Sequence, residues 1–437
     1  MKSIREVITD ILVQHEKEET YLQLVLKEEL DKYERQDRNF ITEVVYGTVK
    51  YKITLDYIIN QMSKTPVKKM KPFVRNLIRM SVYQIMYLDK VPSSAAINEA
   101  VKIIKRRKMS NLSGFVNGVL RNIDRNKETF GEGQPLFVQY AMPEWIVDMW
   151  VEQYGTDETK KICEALNKRA RVCARVNTIK CTSQQLKTVF EQEGIKSTNA
   201  EIYKDECMYL EGAYSVANLV SFVEGNWTAQ DESAMLVSKV VCPQEGENIL
   251  DLCSAPGGKS VHMASLASNQ IKLVSSDIHE HKIELIQKTA NRLGVTCIET
   301  KVMDATIFDS TLENKFDKVL TDVPCSGLGI IKRKPDIRHT KSLEDIQAIN
   351  DVQKSIVKNA VRYLKDDGIL IYSTCTLSKV ENEDMVRYIV AELGLKADSI
   401  EGYIPSAFKP YIKDKCCVQI LPYVADTDGF FVARFRK

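Results

Sequence analysis

The chain has 437 residues, with 61 lysines and arginines against 59 aspartates and glutamates, a formal net charge of +2, and 44% hydrophobic residues. That length exceeds one ordinary core and predicts two or three domains. No apolar run reaches the roughly 18 residues of a membrane span, and charges at Lys2, Arg5 and Glu6 stand where a signal peptide would be apolar, so a cytoplasmic protein is expected.

Residues 1 to 128 read as a helical bundle. Apolar side chains recur at spacings of three and four over Ile4 to Val13, Tyr21 to Leu30, Phe40 to Ile53, Leu55 to Met62, Val74 to Leu88 and Ala95 to Ile104. Within the bundle a basic run holds Lys64, Lys68, Lys69, Lys71, Arg75, Arg79, Lys90, Lys102, Lys105, Arg106, Arg107 and Lys108 against only Asp89 and Glu99. Such a cluster in a nearly balanced chain is the footprint of phosphate binding. Asn126 to Pro135, with two glycines and a proline, predicts a linker. A small α/β module is expected over 136–224, with helices at Glu144 to Gln153 and Thr156 to Asn167 and strands at Val172 to Asn177 and Tyr214 to Leu219.

Over 225–437 short apolar runs alternate with helical stretches. Strands are predicted at Asn248 to Leu252, Lys272 to Ser276, Cys297 to Val302, Lys318 to Thr321 and Gly368 to Ser373, with helices such as Ile283 to Leu293 and Lys379 to Leu393. This rhythm predicts a parallel, doubly wound α/β sheet of the Rossmann-like kind. Cys417 to Leu421 and Gly429 to Arg434 read as a closing antiparallel pair. The 11 cysteines all lie from Cys163 onward, without a CxxC pair or zinc-type histidine spacing, so neither a disulfide framework nor a metal is expected. Cys163, Cys173, Cys242 and Cys297 read as small core side chains.

In an open α/β sheet, ligands bind outside the carboxyl ends of the strands, where the strand order reverses. Each predicted strand ends on a chemically loaded residue. The first runs into Asp251-Leu252-Cys253-Ser254-Ala255-Pro256-Gly257-Gly258-Lys259-Ser260, the second into Asp277, the third into Asp304, the fourth into Asp322-Val323-Pro324-Cys325 and the fifth into Thr374-Cys375-Thr376. As a Walker A loop, the first would need a glycine where Cys253 stands; as a dinucleotide loop it would need GxGxxG, which is absent. What remains is a tight glycine turn against which a ligand can press, with Asp277 placed for ribose hydroxyls and Asp304 for an adenine amino group. An adenosine without phosphates fits, and S-adenosylmethionine is the expected cofactor.

Cys325 and Cys375, on two such loops, suit chemistry at carbon 5 of cytosine. That carbon is a poor nucleophile until a thiolate adds at C6, and loss of the C5 proton after methylation expels the thiol. The addition also needs an acid or strong hydrogen bond where charge builds at N3. Asp322 fills that role if its carboxyl is held protonated. Spacing alone assigns both cysteines to one site without dividing their roles.

At Asp251 to Ser260, Pro324-Cys325-Ser326-Gly327 and Ser373-Thr374-Cys375-Thr376 the chain resembles the RNA cytosine-5 methyltransferase family. Gln230-Asp231-Glu232-Ser233-Ala234 resembles that family's entry to its catalytic domain, and Asp428-Gly429-Phe430-Phe431 its closing strands. The helical segment, through Asn98-Glu99-Ala100-Val101 and Phe115-Val116-Asn117-Gly118-Val119-Leu120-Arg121, resembles the antitermination-factor NusB fold. This combination marks the branch that acts on small-subunit (16S) ribosomal RNA.

The resemblance implies that Cys375 is the nucleophile and that Cys325 assists breakdown of the adduct. It implies that Asp322 contacts the cytosine edge, and that Ser254, Ala255, Pro256, Gly257, Gly258, Lys259, Ser260, Asp277, Asp304 and Asp322 line the cofactor site. DNA cytosine-5 enzymes use the cysteine of the Pro-Cys loop instead; the presence of both cysteines favours RNA. The basic loop Lys332 to Arg338 is a further candidate for RNA contact. A monomer is expected, without metal or membrane partner. The same chemistry on transfer RNA, and a non-catalytic RNA-binding assembly factor, are the alternatives.

Overall fold

The computed structural model describes residues 2–18, 22–131, 133–212 and 216–437. These form two compact units, Met1–Cys163 with Lys334–Thr340, and Glu164–Arg333 with Lys341–Lys437. The first unit extends beyond the helical segment expected over 1–128, because helices Glu144–Tyr154 and most of Thr156–Asn167 fall within it.

The first unit is helical throughout, with Ile8, Ile11, Ile41, Val44, Leu55, Ile58, Leu77, Ile78, Ile103 and Leu120 in one buried cluster. The apolar period of Phe40 to Ile53 covers two helices, Arg35–Lys50 and Lys52–Met62, broken at Tyr51, whose φ of −94° and ψ of 11° leave the helical region. Periodicity does not register a one-residue break that keeps the buried face in phase. Tyr21, expected to open the second helix, lies outside the described residues, and that helix is seen over Leu22–Leu30.

The basic run divides physically. Arg79, 7% exposed, pairs with Asp56 at 2.7 Å and Glu16 at 3.2 Å, and Arg75 reaches Glu16 at 2.9 Å. Arg106 and Arg107 close on the buried Glu6 at 2.7 and 2.6 Å, and Arg107 also holds Asp10. These arginines fasten helices together. Lys64, Lys68, Lys69, Lys71, Lys90, Lys105 and Lys108 are exposed.

Lys334–Thr340 is buried in this unit. Arg338, 1% exposed, donates from Nη1 to the carbonyls of Lys50 and Ala141 at 3.1 and 2.9 Å, and His339 Nε2 lies 2.8 Å from the Val49 carbonyl. RNA contact by Arg338, expected from the charge of the loop, does not fit this burial.

The second unit contains two sheets. Strands β1 (Val172–Val176), β2 (Lys196–Asn199), β3 (Cys207–Glu211) and β4 (Trp227–Ala229) pair antiparallel in the order β2-β3-β1-β4. Helix Ser183–Gln192, opened by a Thr182–Gln185 capping box, packs Leu186 and Phe190 against Trp227. The strand expected at Tyr214 to Leu219 is not formed where it is described: Val216–Asn218 is a 3-10 turn, and residues 213–215 lie outside the described set.

The large sheet holds β5 (Asn248–Asp251), β6 (Lys272–Asp277), β7 (Ile298–Val302), β8 (Phe316–Asp322), β9 (Leu364–Thr374), β10 (Lys396–Ala397), β11 (Ile412–Lys413), β12 (Cys417–Ile420) and β13 (Phe430–Arg436). Its order is β11-β12-β13-β9-β8-β5-β6-β7, with β10 on the far end of β13. Strands β5 to β9 run parallel; β13 returns antiparallel beside β9, as its sequence predicts. Both faces are covered. Leu250, Val319, Leu370 and Tyr372 enter one core, and Ile249, Leu320, Ile369 and Ile371 the other. Coverage on both faces makes these strands read as continuous apolar runs. The order reverses at β5, flanked by β6 and β8, so a ligand site is expected above Asp251 and Asp322.

Within the first unit, Gly47 sits against the ring of Tyr83: a Cβ there would lie 1.9 Å from Cζ. That ring cannot swing freely, because its hydroxyl donates to Glu43 at 2.8 Å and it stacks on Tyr87 at 5.5 Å. Gly47→Ala is expected to cost about 1–3 kcal/mol by overpacking, read as a lowered denaturation midpoint; an unchanged midpoint would contradict this packing.

Candidate active site

Parallel pairing of β8 with β9 sets Asp322 opposite Ser373, so the loops that leave these strands start side by side. Each carries one of the predicted cysteines. Cys325 Sγ and Cys375 Sγ stand 3.3 Å apart, both half-buried and therefore reachable. Asp322 joins them: Oδ1 accepts from Ser373 Oγ at 2.7 Å and Oδ2 from Lys259 Nζ at 2.6 Å. The backbone closes the same corner, with Gly329 N donating to the Cys375 carbonyl at 2.9 Å. Gly329 passes so near Gly429 that a Cβ on it would lie 2.2 Å from the Gly429 carbonyl oxygen.

The loop after β5 turns through a cis Ala255–Pro256 bond and Gly257, whose φ of +94° favours glycine, into helix Gly258–Leu266. Backbone bonds bring its neighbours alongside. Ser254 N and Oγ both donate to the Ser276 carbonyl, at 2.9 and 3.0 Å, and Met303 N donates to the Asp277 carbonyl at 3.0 Å. Asp277 and Asp304 are thereby set at adjacent strand ends. Asp277 takes Lys282 at 3.4 Å, and Asp304 accepts from the backbone and hydroxyl of Thr306 at 2.9 and 2.7 Å. Ile278 and Ile307, the residues beyond these strands, are 51% and 66% exposed. Exposed apolar side chains between carboxylates offer a flat aromatic ring a face to lie on.

The predicted cofactor residues are not alike in what their side chains do. Ser254 and Ser260 turn inward: Ser260 Oγ donates to Asp251 Oδ2 at 2.6 Å. Lys259 belongs to the Asp322 cluster, with its ammonium also 5.1 Å from the centre of the Phe430 ring. Ala255, Pro256, Gly257 and Gly258 offer backbone.

Three family models match in succession: the NusB family over residues 2–125, the ferredoxin-like domain of RsmF/B-like methyltransferases over 142–217, and 16S rRNA methyltransferase RsmB/F over 238–436. A probable ribosomal RNA small subunit methyltransferase B from Bacillus subtilis (strain 168) is 38% identical over 100% of this chain and 99% of its own. The chain belongs to the RsmB/F family of 16S rRNA methyltransferases. A Synechocystis protein also described as a probable small subunit methyltransferase B is 31% identical over 100% of both chains. Among solved structures, the crystal structure of PH0851 matches with a TM-score of 0.81 at 24% identity, covering 100% of this chain and 99% of that one. A methyltransferase homologue from Pyrococcus horikoshii matches with a TM-score of 0.59 at 26% identity, over 69% of this chain and 97% of its own.

The enzyme is thus an S-adenosylmethionine-dependent rRNA methyltransferase with a NusB-like domain, a ferredoxin-like module and a doubly wound catalytic domain. No helix among the described residues is long and apolar enough to cross a membrane, and no metal-ligating cluster is found among them.

The electrostatics of the site favour a charged lysine. Burial works against the ammonium of Lys259, yet Asp322 outweighs it and raises the lysine's pKa. Asp322 receives two donors, the Ser373 hydroxyl and the Lys259 ammonium. The Cys325 thiol is raised, first by its hydrogen bond with Cys375 and then by burial.

Sequence reasoning missed the residues behind the cysteines. Glu381, Asn382 and Gln353 are fully buried; Glu381 bonds to both cysteine loops, Gln353 to the Cys325 loop and Asn382 to the Cys375 loop. Their signal was an acid and an amide, Glu381-Asn382, soon after Cys375, read only as the start of a helix. Lys332 and Arg333, expected to touch RNA, are instead spent internally. Arg333 pairs with Asp428 and Asp231 at 2.5 and 2.7 Å, and Lys332 donates to the carbonyls of Asp426 and Thr427 at 2.8 and 2.7 Å.

Asp251 is fully buried with Oδ1 unpartnered, and burial pushes its pKa up to about 7. An unfolded aspartate titrates near about 4, so the folded state binds the extra proton between those values. That contribution to stability is present below about pH 4 and is lost as pH rises through about 7. Asp251→Asn is expected to shrink the fall in melting temperature between pH 5 and pH 8 in the cofactor-free enzyme; an unchanged fall would contradict the assignment.

Proposed function

We propose that the enzyme methylates carbon 5 of a cytosine in small-subunit ribosomal RNA through a covalent bond between Cys375 and C6 of the ring. The observation that carries this reading is the 3.3 Å approach of two reachable thiols on neighbouring loops, beside the Asp322–Lys259 pair. A single thiol would suffice for a redox or packing role. A thiol to attack and a second thiol against it suit a reaction that must make and then break a carbon–sulfur bond.

Cys375 adds to C6, which makes C5 nucleophilic. Asp322 accepts from the exocyclic amino group, and the Lys259 ammonium is the cation available where negative charge builds on the ring. S-adenosylmethionine, when bound, supplies the electrophilic methyl group. Cys325 assists loss of the C5 proton, after which the Cys375 sulfur leaves. The cofactor site fits the residues present: Asp277 suits ribose hydroxyls, Asp304 the adenine amino group, Ile278 the adenine face, and the turn at Gly257 lets the ligand approach the backbone. The reaction takes place where the ribosomal RNA is, in the cytoplasm.

Cys375→Ala is expected to abolish both methylation and covalent trapping on 5-fluorocytosine RNA, whereas Cys325→Ala forms the adduct and fails to release it. Trapping by Cys375→Ala but not by Cys325→Ala would reverse the two roles. Mapping 5-methylcytidine in ribosomal and transfer RNA, with and without the gene, tests the substrate.

For RNA binding, the exposed lysines and not the paired arginines are the residues to alter. Lys68→Glu with Lys69→Glu is expected to weaken RNA affinity and to flatten its salt dependence, with log K against log salt losing a slope of about 0.7–0.9 per contact removed. Affinity for S-adenosylmethionine should not change. Equal RNA affinity at low salt would remove this surface from the interface.

A further inference from the structure

The two cysteine loops are held from behind by neighbouring buried side chains. Glu381 accepts four hydrogen bonds: from Ser326 N at 2.8 Å and Gln353 Nε2 at 3.1 Å on Oε1, and from Ser326 Oγ at 2.5 Å and Thr376 Oγ1 at 3.3 Å on Oε2. Ser326 Oγ and Thr376 Oγ1 are themselves 2.6 Å apart. Gln353 Nε2 also donates to the Pro324 carbonyl at 2.9 Å. Asn382 accepts from Thr374 Oγ1 at 2.6 Å and donates to the Thr376 carbonyl at 3.1 Å. Each cysteine is therefore fixed on both sides, Cys325 through Pro324 and Ser326, Cys375 through Thr374 and Thr376. The only side chain that bonds directly to both loops through its carboxylate is Glu381, among the described residues.

We infer that Glu381 is a positioning residue: by tying Ser326 to Thr376 it keeps Cys325 in contact with the Cys375 sulfur, and so serves release of the covalent adduct more than its formation. This rests on the reading of the reaction given above. Formation needs Cys375, the ring and Lys259–Asp322, none of which bonds to Glu381. Release needs Cys325 to remain beside C5 while Cys375 is bonded to C6, and the Glu381 tie holds it there together with the Ser326–Thr376 hydroxyl contact and the bond from Gly329 N to the Cys375 carbonyl. The bonding pattern also predicts which substitution is tolerated. An amide at this position keeps an oxygen for Ser326 N and Gln353, and its NH2 can donate to Ser326 Oγ, which then turns its own proton toward Thr376. A methyl group offers neither.

The test uses the full-length enzyme with unmodified cytosine RNA and with 5-fluorocytosine RNA. Glu381→Ala should lower kcat about 10²-fold, the loss expected for a misplacement of about 1 Å, while a denaturant-stable enzyme–RNA adduct accumulates on unmodified RNA as with Cys325→Ala. Its KM for RNA and its affinity for S-adenosylmethionine should stay within about twofold, since binding is not what is lost. Glu381→Gln should recover kcat to within about tenfold of the wild type, with little adduct. Should Glu381→Ala fail to bind the cofactor for want of folding, Ser326→Ala removes the hydroxyl tie alone and should show the same accumulation in milder form. Absence of accumulation in the folded variants, or equal losses for Glu381→Ala and Glu381→Gln, overturns the inference. Failure of the wild type to trap 5-fluorocytosine RNA overturns the underlying reaction, and this inference with it.

Discussion

The in-register parallel pairing of β8 with β9 is the constraint on which the site depends. It sets Asp322 beside Ser373, and both chains then turn out of the sheet at the same height. Cysteines 50 residues apart in sequence consequently meet at 3.3 Å. Parallel pairing cannot be made by a tight turn, so the intervening chain must cross over. Here the crossover includes the long helix Leu343–Tyr363, which supplies Gln353 to the back of the site. The connection that parallel geometry requires thus also furnishes part of the support for the catalytic loops. The adjacent reversal at β5 then puts the cofactor loop next to the cysteines, where Lys259 can reach Asp322.

Much of this was legible in the sequence because its signals were local. Apolar runs marked most of the strands from β5 to β9, since burial on both faces leaves little room for polar residues, and the loaded residue at each run's end lay a position or two further; β7, at the edge of the sheet, is polar and only partly buried. The cysteines and Asp322 were found in this way. Glu381, Gln353 and Asn382 were not, because their meaning is set by which backbone groups they meet after folding, and a buried polar side chain has the same letter as an exposed one. The arginines of the basic run failed for the same reason. Glu6, Asp10, Glu16 and Asp56, which neutralise them, lie outside the basic run itself. The strand expected at Tyr214 to Leu219 shows a different limit: an apolar stretch of that length fits a turn as well as a strand until a pairing partner is known.

The proposed division of labour between the cysteines rests on the family resemblance, and the two sulfurs differ in their charged neighbours. The sulfurs share one hydrogen bond, so at most one of them is readily ionised while the other donates. The Lys259 ammonium lies within electrostatic reach of Cys375, and the buried Glu381 carboxylate within reach of Cys325, whose thiol is raised first by its hydrogen bond with Cys375 and then by burial. In the proposed reaction the attacking thiol, Cys375, is the one near the lysine, and Cys325 is the one near the carboxylate. Once Cys375 is bonded to carbon in that proposed reaction, its sulfur no longer shares a proton with Cys325, and Cys325 is left against the ring with a different acid–base balance from the one it had before attack. That change accompanies bond formation itself and needs no movement of either loop, so a rigid mounting for the two cysteines is an advantage to the second half of the reaction as well as to the first.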